Sequence, residues 1–123
     1  MKRIAILLVA FAIALPATAA TKKLFVDVDR VIVTGSDLYG GCLMAPSGGM
    51  NTSGTTCLGK FASLDCANMT GGDGTSKADG QRRLDVAMLA RITGEKVAII
   101  INDAKKINGY CVAERVDQVT PRN

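Results

Sequence analysis

The sequence predicts a mainly β domain of the α+β class, with five strands in a partly closed barrel and one helix between the third and fourth strands. Short apolar segments with strand-like alternation recur between glycine-rich stretches. One longer segment has the spacing of a helix and opens with a capping motif. Two further strand-like segments follow it, separated by a strong turn signal. These three observations set the order of elements.

The first predicted strand covers residues 24–33. Val26 and Val28 alternate with aspartates, so the strand has one apolar face and one face toward water. The alternation slips at Arg30, which is the effect of a β-bulge or of a strand that passes from an exposed edge into a more buried place.

The next two strands are less regular. Residues 38–44 are the predicted second strand, although two glycines interrupt it, and residues 56–64 are the third. The segments 45–55 and 67–75 are rich in glycine and small polar residues, so both are predicted to be loops.

The helix is the element with the clearest boundaries. Ser76 and Asp79 form a capping-box pattern at its start, and Gly94 is suited to the position just after its end. Val86 and Leu89 point away from the main apolar face, so either a second layer or a neighbouring subunit covers them, or they are exposed apolar side chains of an ordinary surface. Four residues share the main face: Leu84, Ala87, Met88 and Ile92.

Two strands close the predicted fold. Residues 96–102 contain three consecutive isoleucines, which suit a strand buried on both faces. Residues 102–109 are predicted to be a connecting loop that ends in an Asn-Gly turn signal. The last strand is predicted over residues 110–116.

Residues 1–20 have the pattern of a secretory signal peptide. Lys2 and Arg3 give a basic start, residues 4–15 are uninterrupted and apolar, and the triplet at 17–19 supplies the small residues that signal peptidase requires. Cleavage is expected after residue 19 or 20. The apolar run is shorter than the roughly 20 residues that a membrane span needs, so no membrane span is predicted.

The leader resembles those of Gram-negative bacteria, which implies a periplasmic or secreted product. Residues 21–123 then form a single domain. Four cysteines lie in this part of the chain: Cys42, Cys57, Cys66 and Cys111. An even number of cysteines in a small exported domain predicts a disulfide framework. Three pairings are possible, and proximity favours Cys57 with Cys66 and Cys42 with Cys111. A zinc site is disfavoured because the chain has no histidine and no C-x-x-C pair.

Charge and residue content exclude several functions. Loss of Lys2 and Arg3 with the leader lowers the net charge from +4 to about +2, too little for a nucleic-acid-binding face. The absence of histidine removes the common serine and cysteine catalytic arrangements. We therefore expect a non-enzymatic protein without a metal or cofactor. The polar residues of the segment before the last strand are the candidate ligand contacts: Asp103, Lys105, Lys106 and Asn108.

The predicted order of elements resembles the OB-fold, a five-stranded barrel with a helix between strands three and four. Residues 76–84, 89–90 and 94–97 are similar to the long helix and fourth-strand entry of the cholera-toxin-like B subunits. The chain is also similar to small exported bacterial proteins with an alanine-rich helix and a late cysteine. The resemblance implies the fold alone, because the tryptophan that stacks on the receptor sugar in the toxin family is missing.

The expected function is therefore that of an exported binding domain for a protein or a glycan. A toxin-B-like ring component that docks another subunit is the first alternative, and homo-oligomer formation is part of it. A small inhibitor of an exported enzyme, acting through loops 45–55 and 67–75, is the second.

Overall fold

The computed structural model describes residues 14–15, 18–71 and 76–119, so most of the predicted leader and part of the 67–75 loop lie outside the described residues. Within them, five strands form a closed ring in the order β1-β2-β3-β5-β4, and β4 pairs back to β1. The elements are β1 (Thr21–Val33), a 3-10 turn (Asp37–Tyr39), β2 (Cys42–Pro46), β3 (Ala62–Ser63), α1 (Lys77–Thr93), β4 (Lys96–Ile107) and β5 (Tyr110–Gln118). The prediction of a mainly β fold with a helix between the third and fourth strands is confirmed.

A bulge in β1 lets this strand pair with two neighbouring strands. Its first part pairs with β4, from Thr21 opposite Asn102 to Asp27 opposite Lys96. Its second part pairs with β2, and the register shifts between Val28 and Arg30. The predicted slip at Arg30 is thus confirmed. It bends β1 so that one strand can close the ring between β4 and β2.

Strands β2 and β3 are shorter than the sequence predicted. Gly40 and Gly41 have positive φ angles of 79° and 81°, so the chain turns there and pairing begins only at Cys42. The predicted third strand over 56–64 is reduced to two residues. The preceding segment packs instead on the 45–55 loop, because the Met50 amide donates to the Gly59 carbonyl at 2.8 Å.

Helix α1 has the predicted boundaries, with Ser76 as N-cap, a complete capping box with Asp79, and Gly94 as C-cap. The hydrogen bonds from Ser76 lower the pKa of the Asp79 carboxyl below its ordinary value. The predicted buried face is wrong in part, because Met88 and Ile92 are exposed. The buried residues of the helix are Gly80, Leu84, Ala87 and Ala90.

Strand β4 differs from the prediction at two points. It continues through the predicted 102–109 loop to Ile107, with irregular pairing between Asn102 and Lys106, and only Asn108 and Gly109 form the turn to β5. The strand is buried on both faces only in part: Ile99 and Ile101 on the inner face are fully buried and Ala98 on the outer face is buried, whereas Ile100 lies half-buried on the outside of the ring.

The disulfides are Cys42–Cys66 and Cys57–Cys111, so the pairing favoured by proximity is wrong. Leu43 of β2 lies opposite Ser63 of β3, which brings the chain just after β3 beside Cys42. The bridges thus follow strand neighbours rather than sequence neighbours. Two disulfides are consistent with an oxidising compartment. Among the described residues, no helix is long and apolar enough to cross a membrane.

Candidate binding surface

The four candidate ligand contacts do not form one site. The amides of Ala20 and Thr56 donate to the Asp103 carboxylate at 2.7 and 3.3 Å, and Lys106 Nζ donates to Thr56 Oγ1 at 2.6 Å. Lys105 instead forms an ion pair with Glu114 at 2.8 Å. Asn108 lies in the β4–β5 turn, and its side-chain amide donates to the backbone carbonyl of Leu38. Only Asp103 and Lys106 share a neighbour, and a ligand role for the four remains a prediction.

Aromatic side chains gather at one end of the ring. The rings of Tyr39 and Tyr110 lie 6.0 Å apart between centroids, and those of Phe61 and Tyr110 lie 5.4 Å apart, both edge to face. Aromatic pairs in this geometry stabilise each other beyond the area that they bury. Lys60 Nζ lies 5.5 Å from the centre of the Phe61 ring. The cluster takes both tyrosines of a chain in which only 4% of residues are aromatic.

Two exposed leucines flank these rings. Leu38 is 57% exposed and Leu58 is 52% exposed, and they lie on either side of one turn. The Asn108 amide reaches the Leu38 carbonyl on one side of the turn, and the Leu58 amide donates to the Gly109 carbonyl at 2.9 Å on the other. We name this surface the aromatic end, and it consists of Leu38, Tyr39, Leu58, Phe61, Asn108 and Tyr110.

A disulfide and a hydrogen bond connect the chain segments that form the aromatic end. The Cys57–Cys111 bridge joins the residue before Leu58 to the residue after Tyr110. The Ser63 hydroxyl donates to the Tyr39 carbonyl at 2.9 Å. A Cβ atom at Gly40 would lie 2.6 Å from Ser63 Oγ, so a glycine is needed for the chain to pass this close. The surface is therefore preformed, with three chain segments fixed to one another.

Sequence reasoning missed the aromatic end because its members lie far apart in the chain. Tyr39 precedes β2, Phe61 precedes β3 and Tyr110 begins β5. Only the topology of the ring brings these three strand starts together. The predicted strands 38–44 and 56–64 instead placed Tyr39 and Phe61 inside strands, so no signal in the sequence marked them as one surface.

A polar cluster, separate from the aromatic end, lies between the loop after β3, α1 and β5. Asp65 is 2% exposed, and its carboxylate accepts from the Met69 and Thr70 amides at 2.7 and 3.0 Å. Arg83 Nε donates to the Leu64 carbonyl at 2.9 Å. Burial lowers the pKa of Arg83, and nearby carboxylates, Asp65 first, oppose that shift. The cavity beside them has a volume of about 40 Å³, so this cluster ties the loop to the helix and has little room for a ligand.

An open apolar groove lies between α1 and the bulge of β1. Its volume is about 430 Å³, and Val31, Met88 and Ile92 supply its apolar wall. Arg91 Nε donates to the Asp29 carbonyl at 2.5 Å across one end. The described residues contain no group of three potential metal ligands.

Comparison of this chain with protein-family models, with curated proteins and with solved structures found no match.

Proposed function

We propose that this chain is an exported, non-enzymatic binding domain with an OB-like architecture, acting in the periplasm or outside the cell through its aromatic end. The observation that carries the proposal is the convergence of three chain segments on one preformed surface of aromatic and exposed apolar side chains. A preformed surface loses little conformational entropy when it binds. The two disulfides support export, because disulfides persist in oxidising compartments.

The strand order supports the OB-like part of the proposal. A ring in the order β1-β2-β3-β5-β4, with a helix between β3 and β4, is the arrangement expected for that fold. In OB-folds the loops between strands one and two and between four and five take part in ligand binding. Here Tyr39 lies in the first of these connections and Asn108 in the second.

The chemistry of the aromatic end favours a protein as the ligand. Tyrosine is enriched at protein interfaces and among their hot spots, and Leu38 and Leu58 add exposed apolar area beside the two tyrosines. The three rings pack edge to face on one another. This packing leaves less ring face open for stacking on a sugar, so a glycan is the second choice.

Leu58 is the best position for testing this surface. Its side chain is 52% exposed, so Leu58→Arg blocks the surface without opening the core. Phe25 on the outside of β1 is a matched control, because it is an apolar residue that is 61% exposed and lies away from the aromatic end. A photo-crosslinking residue placed at 58 and, separately, at 25 in the exported protein would identify the partner in the host cell.

We expect a discrete protein adduct from position 58 and none from position 25. Purified partner should then bind Leu58→Arg at least about 30-fold more weakly than the unsubstituted protein, the loss typical of a hot-spot residue, and bind Phe25→Arg unchanged. Binding only to a glycan array, with the same sensitivity to Leu58→Arg, would move the ligand class to glycans. Binding that is lost in Phe25→Arg and kept in Leu58→Arg would contradict the proposal.

A ring component is a second candidate, and the exposed helix face favours it. Met88, Leu89 and Ile92 are 45%, 48% and 78% exposed, and two of them line the groove beside β1. A neighbouring subunit would bury this face. Light scattering of the mature protein separates the two candidates: a ring that dissociates in Ile92→Glu supports assembly, whereas a monomer at all concentrations excludes it.

A further inference from the structure

The start of β1 is bound by one carboxylate. The Ala20 amide donates to Asp103 Oδ1 at 2.7 Å, and the Asp103 amide donates to the Ala20 carbonyl at 3.0 Å. These two bonds lie just beyond the last paired residue of the strand, where Thr21 faces Asn102. Asp103 itself lies in the irregular part of β4. The nearer oxygen of this carboxylate is therefore aimed at the backbone nitrogen of Ala20.

Ala20 also lies at the predicted cleavage site of the leader. The small residues at 17–19 allow signal peptidase to cut after 19 or after 20. Thr18 and Ala19 are exposed, whereas Ala20 is partly buried. Cleavage after 20 would remove the Ala20 nitrogen and carbonyl that bond with Asp103, and cleavage after 19 would keep them.

We propose that the leader is removed between Ala19 and Ala20, and that the new ammonium group of Ala20 binds the Asp103 carboxylate. In this step water adds to the Ala19–Ala20 peptide bond, Ala19 leaves with a carboxylate, and the Ala20 nitrogen takes up a proton. A neutral amide donor thereby becomes a charged one on the same acceptor. Hydrogen bonds between charged partners are roughly twice as strong as neutral ones. The inference rests on the export that forms part of the proposed function.

The new terminus is linked to the aromatic end through the same side chain. The second oxygen of Asp103 accepts from the Thr56 amide at 3.3 Å, and Thr56 directly precedes Cys57 of the bridge to β5. Lys106 Nζ reaches the hydroxyl of Thr56 at 2.6 Å. Asp103 thus lies between the new terminus and the segment that carries Leu58.

The first experiment is intact-mass and N-terminal analysis of the protein recovered from the exported fraction. A product that begins at Ala20 supports the inference. A product that begins at Thr21 overturns it and leaves the proposed export standing. Recovery of the chain with its leader attached overturns both.

The second experiment measures how fast the α-amino group is acetylated near neutral pH, where lysines react slowly because their pKa is higher. An ammonium bound to Asp103 is protected, so the rate should rise about tenfold in Asp103→Asn, the change expected for one pKa unit. Asp85→Asn removes an exposed helix carboxylate that accepts from Gln81, and it should leave the rate unchanged. Equal rates in the unsubstituted protein and Asp103→Asn would overturn the inference. The N-terminal analysis remains decisive if Asp103→Asn does not fold.

Discussion

Gly80 shows how one residue can reverse a general rule. A glycine within a helix is ordinarily less favourable than alanine by up to about 1 kcal/mol. Here a Cβ atom would lie 2.4 Å from the Asp65 carbonyl oxygen and 2.6 Å from Cys66 Cα. Both neighbours are backbone atoms beside the Cys42–Cys66 bridge, so they have little freedom to move. The glycine lets α1 approach the loop after β3.

We therefore expect Gly80→Ala to destabilise the protein, by about 1–3 kcal/mol, the usual cost of overpacking. Gly35→Ala is the matched control, since nothing lies within 4 Å of its Cβ position, and it should leave stability nearly unchanged. Urea unfolding of the two variants measures the difference. A Gly80→Ala protein more stable than the unsubstituted one would show that the helix does not pack this closely.

Features of the helices and strands that depend on nearby residues were predicted correctly, whereas features that depend on contacts between distant segments were not. The start of α1 depends on Ser76 and Asp79, and its end depends on Gly94. Each of these residues acts within one helical turn of its own end, so the sequence was sufficient to place both boundaries. The slip in β1 was likewise visible from alternation. The length of β3 and the disulfide pairing depend on which strands become neighbours. The aromatic end depends on the same topology, which no local pattern encodes.

Neighbouring residues of β4 allow the assignment of its inner and outer faces to be tested. Three isoleucines in a row suggested burial on both faces, but the outer face of β4 is only partly covered. Ile101 is 0% exposed and lies in the core, whereas Ile100 lies outside, opposite Lys23 of β1 and Arg115 of β5. The two adjacent positions are therefore chemically unequal.

We expect Ile101→Asp to prevent folding, because it buries a charge with no partner. Ile100→Asp should give a folded protein, since its side chain reaches solvent between two basic neighbours. Circular dichroism and soluble yield of the two variants measure this contrast. The same outcome for both variants, folded or unfolded, would contradict the assignment of the inner and outer faces.

In the whole molecule, ring closure and cross-linking act together. The bulge lets β1 pair with both β4 and β2, and each bridge joins parts of the ring that the sequence separates, by 24 residues for Cys42–Cys66 and 54 for Cys57–Cys111. In the chain-entropy account these bridges stabilise the fold by about 3.5 and about 4 kcal/mol. The longer bridge also holds Leu58 beside Tyr110, so it supports the aromatic end and the fold at once.

The most direct measurement is a disulfide map of the purified protein, obtained by digestion without reduction and mass spectrometry of the linked peptides. We expect one peptide pair that joins Cys42 to Cys66 and another that joins Cys57 to Cys111. A link between Cys57 and Cys66, or free thiols at these positions, would contradict the ring topology and the aromatic end built on it.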